Sequence, residues 1–244
     1  MLPKAKLWLA LTVAAVSMFS TNLQAAWDLN MPQGVTQISR ETYDLHMQIL
    51  WWCVAIGVIV FGVMLWSIIN HRKSKGAVSA TFHESTKVEI VWTIIPFIIL
   101  ILMAIPATRV LTQAYDASES DLDIQVIGYQ WRWEYRYLRQ DSLEEEVSFF
   151  SSLSTSREQI NNQLPKEESY LLEVDNPLVI PINKKVRFLV TSNDVIHAWW
   201  VPDFAVKKDA IPGFINEIWA IVEEPGVYRG QCAELCGIEH GFMP

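Results

Sequence analysis

The chain has 244 residues, 51% of them apolar, and a formal net charge of -8, which fits a bundle of membrane helices or one ordinary domain with additions and leans toward the membrane. Residues 1–110 hold eight Lys/Arg against five Asp/Glu, whereas residues 111–244 hold eleven against twenty-two, so the second part is a separate acidic object that repels nucleic acid and attracts basic proteins. The three cysteines, Cys53, Cys232 and Cys236, exclude a disulfide framework by count.

Residues 1–26 carry Lys4 and Lys6, an apolar run from Leu7 to Phe19 and a polar region closing on Ala25-Ala26. This three-part layout predicts a secretory signal peptide cleaved near Ala25 or Ala26, the run being short of the ~20 residues a membrane span needs. Residues 27–110 then predict a two-helix transmembrane hairpin. Ile49 to Ile69 and Ile90 to Ala107 hold no charge, and each is long enough to cross ~30 Å of hydrocarbon; the helices are expected at about 47–70 and 88–108. The connection carries Arg72, Lys73, Lys75 and Lys87 against Glu84 and Glu89. This basic excess places the connection on the cytoplasmic side and both flanks outside. Pro96 and Pro106 break backbone bonds that lipid cannot restore, so the hairpin is expected to dock on a larger membrane protein. Glu89, at the cytoplasmic mouth of the second helix, is either a water-facing carboxylate or the mouth of a proton path.

Residues 111–244 read as one all-β domain, with the period changing to two at Leu122, Ile124 and Val126, at Val186, Phe188 and Val190, and at Ile218, Ala220 and Val222. Turn residues at Asp175-Asn176-Pro177, Asn183, Ile211-Pro212-Gly213 and Glu224-Pro225-Gly226 space these strands as in an antiparallel sandwich or barrel. Asp141 to Ser169 is polar, lacks a sustained period and is expected to be a surface insertion with at most a short helix around Arg157 to Leu164. Trp131 and Trp133 lie in an aromatic strand with Tyr129, Tyr135 and Tyr137, a pattern that ordinary sheet packing also produces.

The tail places Cys232, Cys236, His240 and Met243 within twelve residues. Thiolate, imidazole and thioether together suit copper, because a thioether binds hard cations poorly. Three alternatives share these residues. A Cys2His2 zinc site with His197 leaves Met243 idle. A Cys232–Cys236 disulfide is compatible with an oxidising compartment. A mononuclear blue-copper site leaves one thiol unused. The residue count favours two metals.

The sequence Cys-x-Glu-x-Cys-x-x-x-His-x-x-Met, preceded by Asp-Val-Ile-His-Ala-Trp-Trp, resembles subunit II of haem-copper cytochrome c oxidases. The resemblance extends through Glu-Ile-Val-Trp-Thr-Ile-Ile-Pro in the second helix, Gly128-Tyr129-Gln130-Trp131-Arg132-Trp133, Leu172-Glu173-Val174-Asp175-Asn176 and Asp209-Ala210-Ile211-Pro212-Gly213. It implies a cupredoxin-like Greek-key domain on the periplasmic side of a bacterial inner membrane, carrying the two copper ions of a CuA centre. By the same resemblance Cys232 and Cys236 bridge both coppers, His197 and His240 bind one each, and Met243 and the Glu234 carbonyl are weak axial ligands. The Glu234 side chain would share a Mg2+ ion with subunit I. Trp131 would receive the electron from cytochrome c, Asp175 and Asp194 would dock that donor, and Glu89 would stand at the mouth of the K pathway. The implied partners are subunit I with its haem, subunit III, cytochrome c and membrane lipid. Arg136 stands where many relatives have Glu, which shifts the expected docking face. Relatives also continue beyond the Met-Pro pair that ends this sequence, so a longer natural chain is expected.

Overall fold

The computed structural model describes residues 30–138 and 147–244. The predicted signal peptide and the Glu144-Glu145-Glu146 run lie outside the described residues. Two long helices are followed by a β domain: α1 is Gln37–Asn70 and α2 is Thr86–Tyr115.

Both helices exceed their apolar runs. At 1.5 Å per residue, the 34 residues of α1 extend about 51 Å against about 30 Å of hydrocarbon. It starts at Gln37 and not near residue 47 because Thr36 and Ser39 form a capping box. The Thr36 hydroxyl accepts the Ser39 N–H at 2.9 Å and the Ser39 hydroxyl accepts the Thr36 N–H at 3.0 Å. Likewise α2 continues past residue 108 to Tyr115. Helical hydrogen bonds close within the segment, so helices persist wherever the chain is not broken, and hydropathy marks only the part that fits lipid. The side chains of these runs, such as Val58, Phe61, Trp92 and Phe97, point outward and are exposed, as a lipid-facing surface requires.

The β domain contains β1 (Leu122–Tyr129), β2 (Arg132–Tyr137), β3 (Val147–Ser151), β4 (Lys185–Ser192), β5 (His197–Val201), β6 (Val206–Ala210) and β7 (Asn216–Ile221). Five strands form one sheet in the order β3-β2-β1-β4-β7, and β5 and β6 form an antiparallel ribbon. The sheet is not wholly antiparallel as expected: β1 and β4 run parallel, Ile124 opposite Phe188 and Gly128 opposite Ser192. The long excursion between β3 and β4 brings the chain back in the direction of β1, which a hairpin cannot do.

That excursion holds the short helix expected near Arg157 and also a strand that was not expected. Val147–Ser151 is an edge strand, drawn in by Phe149 against Tyr135 and Tyr137 and by Phe150 against Tyr129 and Arg132. The short helix, α3, is a single turn, Arg157–Ile160, capped by the Ser156 hydroxyl.

Alternation sends Ile124, Val126, Trp133, Tyr135, Val186, Phe188 and Val190 inward against Trp199, Val201 and Val206 of the ribbon. Each such buried side chain contributes about 1.5–3 kcal/mol of hydrophobic stabilisation. Cys232, Cys236 and Met243 belong to the same core cluster. The domain is joined to both helices: Thr36 bridges to Val222 and donates to the Phe204 carbonyl. Lys185 Nζ donates to the carbonyls of Asp116 and Ser118, just past the end of α2, at 2.8 and 2.6 Å.

Tyr135 gives the core a pH signature. Burial pushes its phenol up from 10.0 to about 12, against the opposing hydrogen bond from Trp199 Nε1 at 3.1 Å. Below pH 10 folded and unfolded chains both keep this proton, so its contribution is fully present. Between about 10 and 12 the unfolded chain loses the proton first, and stability falls. The expected loss is of order 2–3 kcal/mol. Tyr135→Phe should flatten that alkaline decline, while lowering stability at neutral pH because Trp199 Nε1 loses its acceptor. Denaturant titrations at several pH values, with Tyr135→Phe declining as steeply as wild type, would rule this out.

Candidate metal centre

Cys232 Sγ and Cys236 Sγ lie 3.8 Å apart, and both cysteines are free thiols. Each thiol has its own imidazole: His197 Nδ1 is 3.9 Å from Cys232 Sγ, and His240 Nδ1 is 3.6 Å from Cys236 Sγ. The Glu234 carbonyl turns inward to accept from Cys232 Sγ at 3.3 Å, while the Glu234 side chain is exposed. Met243 is 1% exposed, and its carbonyl accepts the Cys232 N–H at 2.9 Å. The structure thus gathers at one place the residues that the sequence pattern grouped, together with the distant His197.

Local sequence explains this convergence. His197 opens β5, and the ligand loop lies against that strand, with Gln231 N–H donating to Trp200 O and Ala233 N–H to Ala198 O. His240 starts a short 3-10 turn, His240–Phe242, tied by its N–H to the Gly237 carbonyl. Gly128 admits the His197 ring: a Cβ there would stand 2.7 Å from His197 Cδ2.

The histidine that opens β5 is fully buried, and its outer nitrogen is spoken for: His197 Nε2 meets Asp194 Oδ1 at 2.9 Å. Asp194 also accepts the N–H groups of Val195 and Gln130 at 2.6 and 2.8 Å. Burial alone would raise its carboxyl, but the hydrogen bonds from His197, Val195 and Gln130 hold it below the usual range. For His197, burial acts downward, and the bonds to Cys232 and Asp194 outweigh it to raise the imidazole. Burial also pushes the Cys232 thiol up, but hydrogen bonds from His197 and the backbone around Ala198 and Glu234 bring it down to about 6. The Cys236 thiol is pushed up to about 12 by burial and by the charge on Cys232. Two thiolates so close do not both ionise without a positive charge between them, which is what a metal supplies.

The donor set fits copper. His197, Cys232 and Cys236 are buried, and their donor atoms all lie within 4.8 Å of one another, close enough to share a metal ion.

Trp131 sits against this loop: its indole Nε1 donates to the Cys236 carbonyl at 3.2 Å, and the Gln130 side-chain amide donates to the same oxygen at 2.8 Å. Asp175 lies elsewhere, its carboxylate accepting the N–H groups of Ser152 and Asn176 at 2.7 and 2.8 Å. Of the two acids expected to dock a donor, Asp194 is thus turned toward His197 and Asp175 toward a turn. Glu89 occupies the first turn of α2, more than 20 residues of helix away from the domain. Pattern reading missed Gln130 and the orienting role of Asp194. The three-residue spacing from Asp194 to His197 was a signal for the second, and none pointed to the first.

Family models described as cytochrome c oxidase subunit II, transmembrane domain, and cytochrome c oxidase subunit II, periplasmic domain, match residues 24–110 and 122–244. The probable cytochrome c oxidase subunit 2 of Rickettsia felis is 40% identical over 246 residues, covering 99% of this chain and 75% of that one. Cytochrome c oxidase subunit 2 of the sea anemone Metridium senile is 38% identical over 229 residues, covering 94% and 88%. Among solved structures, the periplasmic domain of subunit II of cytochrome oxidase from Bradyrhizobium japonicum is 41% identical, with a TM-score of 0.44, covering 52% of this chain and 82% of that one. Matched in both its helical and its β part, the chain belongs to the cytochrome c oxidase subunit II family, the second subunit of an oxidoreductase complex of the haem-copper terminal oxidases.

Proposed function

We propose that this chain is the electron-accepting subunit of a proton-pumping bacterial oxidase, taking electrons from cytochrome c and passing them to haem in subunit I, where O2 is reduced to water. The observation that carries this reading is the pair of buried thiols 3.8 Å apart, each with its own imidazole. His197, Cys232, Cys236, His240, Met243 and the Glu234 carbonyl would hold two copper ions, which supply reversible one-electron chemistry when bound. The protein's part is rigidity. Ligands set in a close-packed core move little when charge arrives, and so little reorganisation accompanies transfer. Asp194 fixes the orientation of His197, and burial of Cys232, Cys236 and Met243 excludes water.

Trp131, hydrogen-bonded to the Cys236 carbonyl, would receive the electron. The domain's acidity would draw a lysine-rich cytochrome, with Asp175 and Asp194 in the docking region. The exposed Glu234 side chain would take Mg2+ together with subunit I. The two helices would cross the inner membrane, docked on subunit I beside subunit III, with the β domain in the periplasm.

Electron paramagnetic resonance of the copper-loaded chain tests the reading. One unpaired spin shared equally by two copper nuclei is expected, and a single-copper spectrum or a silent zinc-loaded site overturns it. For Glu89, proposed at the mouth of the proton path, replacement by Ala should slow haem reduction in subunit I severalfold while copper reduction stays at its normal rate. Unaffected haem kinetics would return Glu89 to an ordinary interfacial carboxylate.

A further inference from the structure

We infer that Gln130 is a positioning residue for electron uptake, fastening Trp131 and the two arms of the metal centre into one unit. The inference rests on the reading that Trp131 receives the electron. Gln130 occupies the tip of the hairpin between β1 and β2, and it bonds in two directions. Its backbone N–H donates to Asp194 Oδ2 at 2.8 Å, and Asp194 Oδ1 meets His197 Nε2 at 2.9 Å. Its side-chain Nε2 donates to the Cys236 carbonyl at 2.8 Å, beside the 3.2 Å bond from Trp131 Nε1. Gln130 therefore reaches both the β5 arm, which carries His197, and the ligand loop, which carries Cys236.

The carbonyl of Cys236 has two lone pairs, and these two donors take one each. The Gln130 bond, at 2.8 Å, is the shorter of the two, so the indole shares its acceptor with a second donor that helps to hold the oxygen in place. Gly237 lets the two sides close. Its φ is +125, and a Cβ there would stand 2.9 Å from Trp131 Cζ2 and 3.1 Å from Gln130 Nε2. In the uptake step one electron leaves the ferrous haem of the donor, which becomes ferric, and is gained at the copper site. A bonded connection from the indole to Cys236, which would hold the copper, runs through Nε1–H and the Cys236 carbonyl. Gln130 lies beside this connection and fixes its geometry.

The test uses the assembled oxidase with Gln130→Met, which keeps the side chain's length and removes the amide. The expected result is an unchanged KM for a lysine-rich cytochrome c and at most a small fall in melting temperature, of the size one lost hydrogen bond gives. Electron transfer from bound cytochrome should be slower by about tenfold, because the loosened indole is no longer held at close, fixed distance from the site. The copper hyperfine splitting should also shift, because the Cys236 carbonyl loses a donor. Trp131→Ala is measured alongside. If Trp131→Ala is slow while Gln130→Met keeps both the wild-type rate and the wild-type spectrum, the role of Gln130 is overturned and that of Trp131 survives. If Trp131→Ala transfers at the wild-type rate, the underlying reading falls first. Should Gln130→Met fail to assemble, Gln130→Glu keeps the shape and replaces the donor by an acceptor. It should be slow as well, and a wild-type rate there overturns the inference equally.

Discussion

Cys236→Ser is expected to bring copper below two ions per chain, abolish the shared-spin spectrum and stop electron uptake from cytochrome c. The thiol it removes is 3.8 Å from its partner and 3.6 Å from His240 Nδ1, so one substitution takes away the bridge and leaves His240 without the sulfur beside it. Serine presents a hard oxygen that stays protonated near neutral pH, a poor substitute where softness selects the metal. The fold should survive. The volume change is small, and the lost contacts are a minor share of a core built on Phe188, Trp133, Trp199 and their neighbours. Copper analysis, magnetic resonance and circular dichroism on the same sample decide the matter. A shared-spin signal in the Ser variant would mean that Cys236 is not a bridging ligand, and a lost far-ultraviolet spectrum would mean that the residue is needed for folding.

Trp131→Ala is expected to leave copper content and spectrum intact and to slow transfer from bound cytochrome c by about a hundredfold, the scale of effect that a loss of close positioning produces. The ring contacts the ligand loop from outside the ligand set, through one hydrogen bond to a backbone carbonyl, so its removal opens a gap without unseating a ligand. Rapid-mixing kinetics with pre-reduced cytochrome c, followed at the copper absorbance, separate transfer from docking. An unchanged rate would take Trp131 out of the path. A lost copper spectrum would recast the indole as part of the wall of the site.

What each residue type and its spacing could reveal was legible without coordinates. Cys232, Cys236, His240 and Met243 lie on one short loop, so their convergence follows from chain length alone, and their softness names the metal class. Charge-free runs of sufficient length marked the two long helices, and alternation marked β1, β4 and β7, because burial on one face imposes a period of two. The helix ends were less legible, since hydropathy tracks lipid and the start of α1 is set by the Thr36 capping box. The β3 strand was hidden in a polar stretch, its place decided by cross-strand aromatic contacts with β2.

Only the tertiary structure decided how distant segments meet. The parallel pairing of β1 with β4 aligns Gly128 with Ser192 and brings Gln130 to Asp194, 64 positions away, and the ligand loop reaches Trp131 across 105. No periodicity encodes such contacts, because they depend on strand register and on where the long excursion returns the chain. The same geometry sets Asp194, which the resemblance assigns to donor docking, against the ring of His197, a contact that the resemblance did not mention. The sequence by itself determined the soft-donor cluster of Cys232, Cys236, His240 and Met243 and the two long apolar helices. The fold determined which neighbours hold those side chains still, since orientation in a packed core is settled by contacts between residues far apart in the chain.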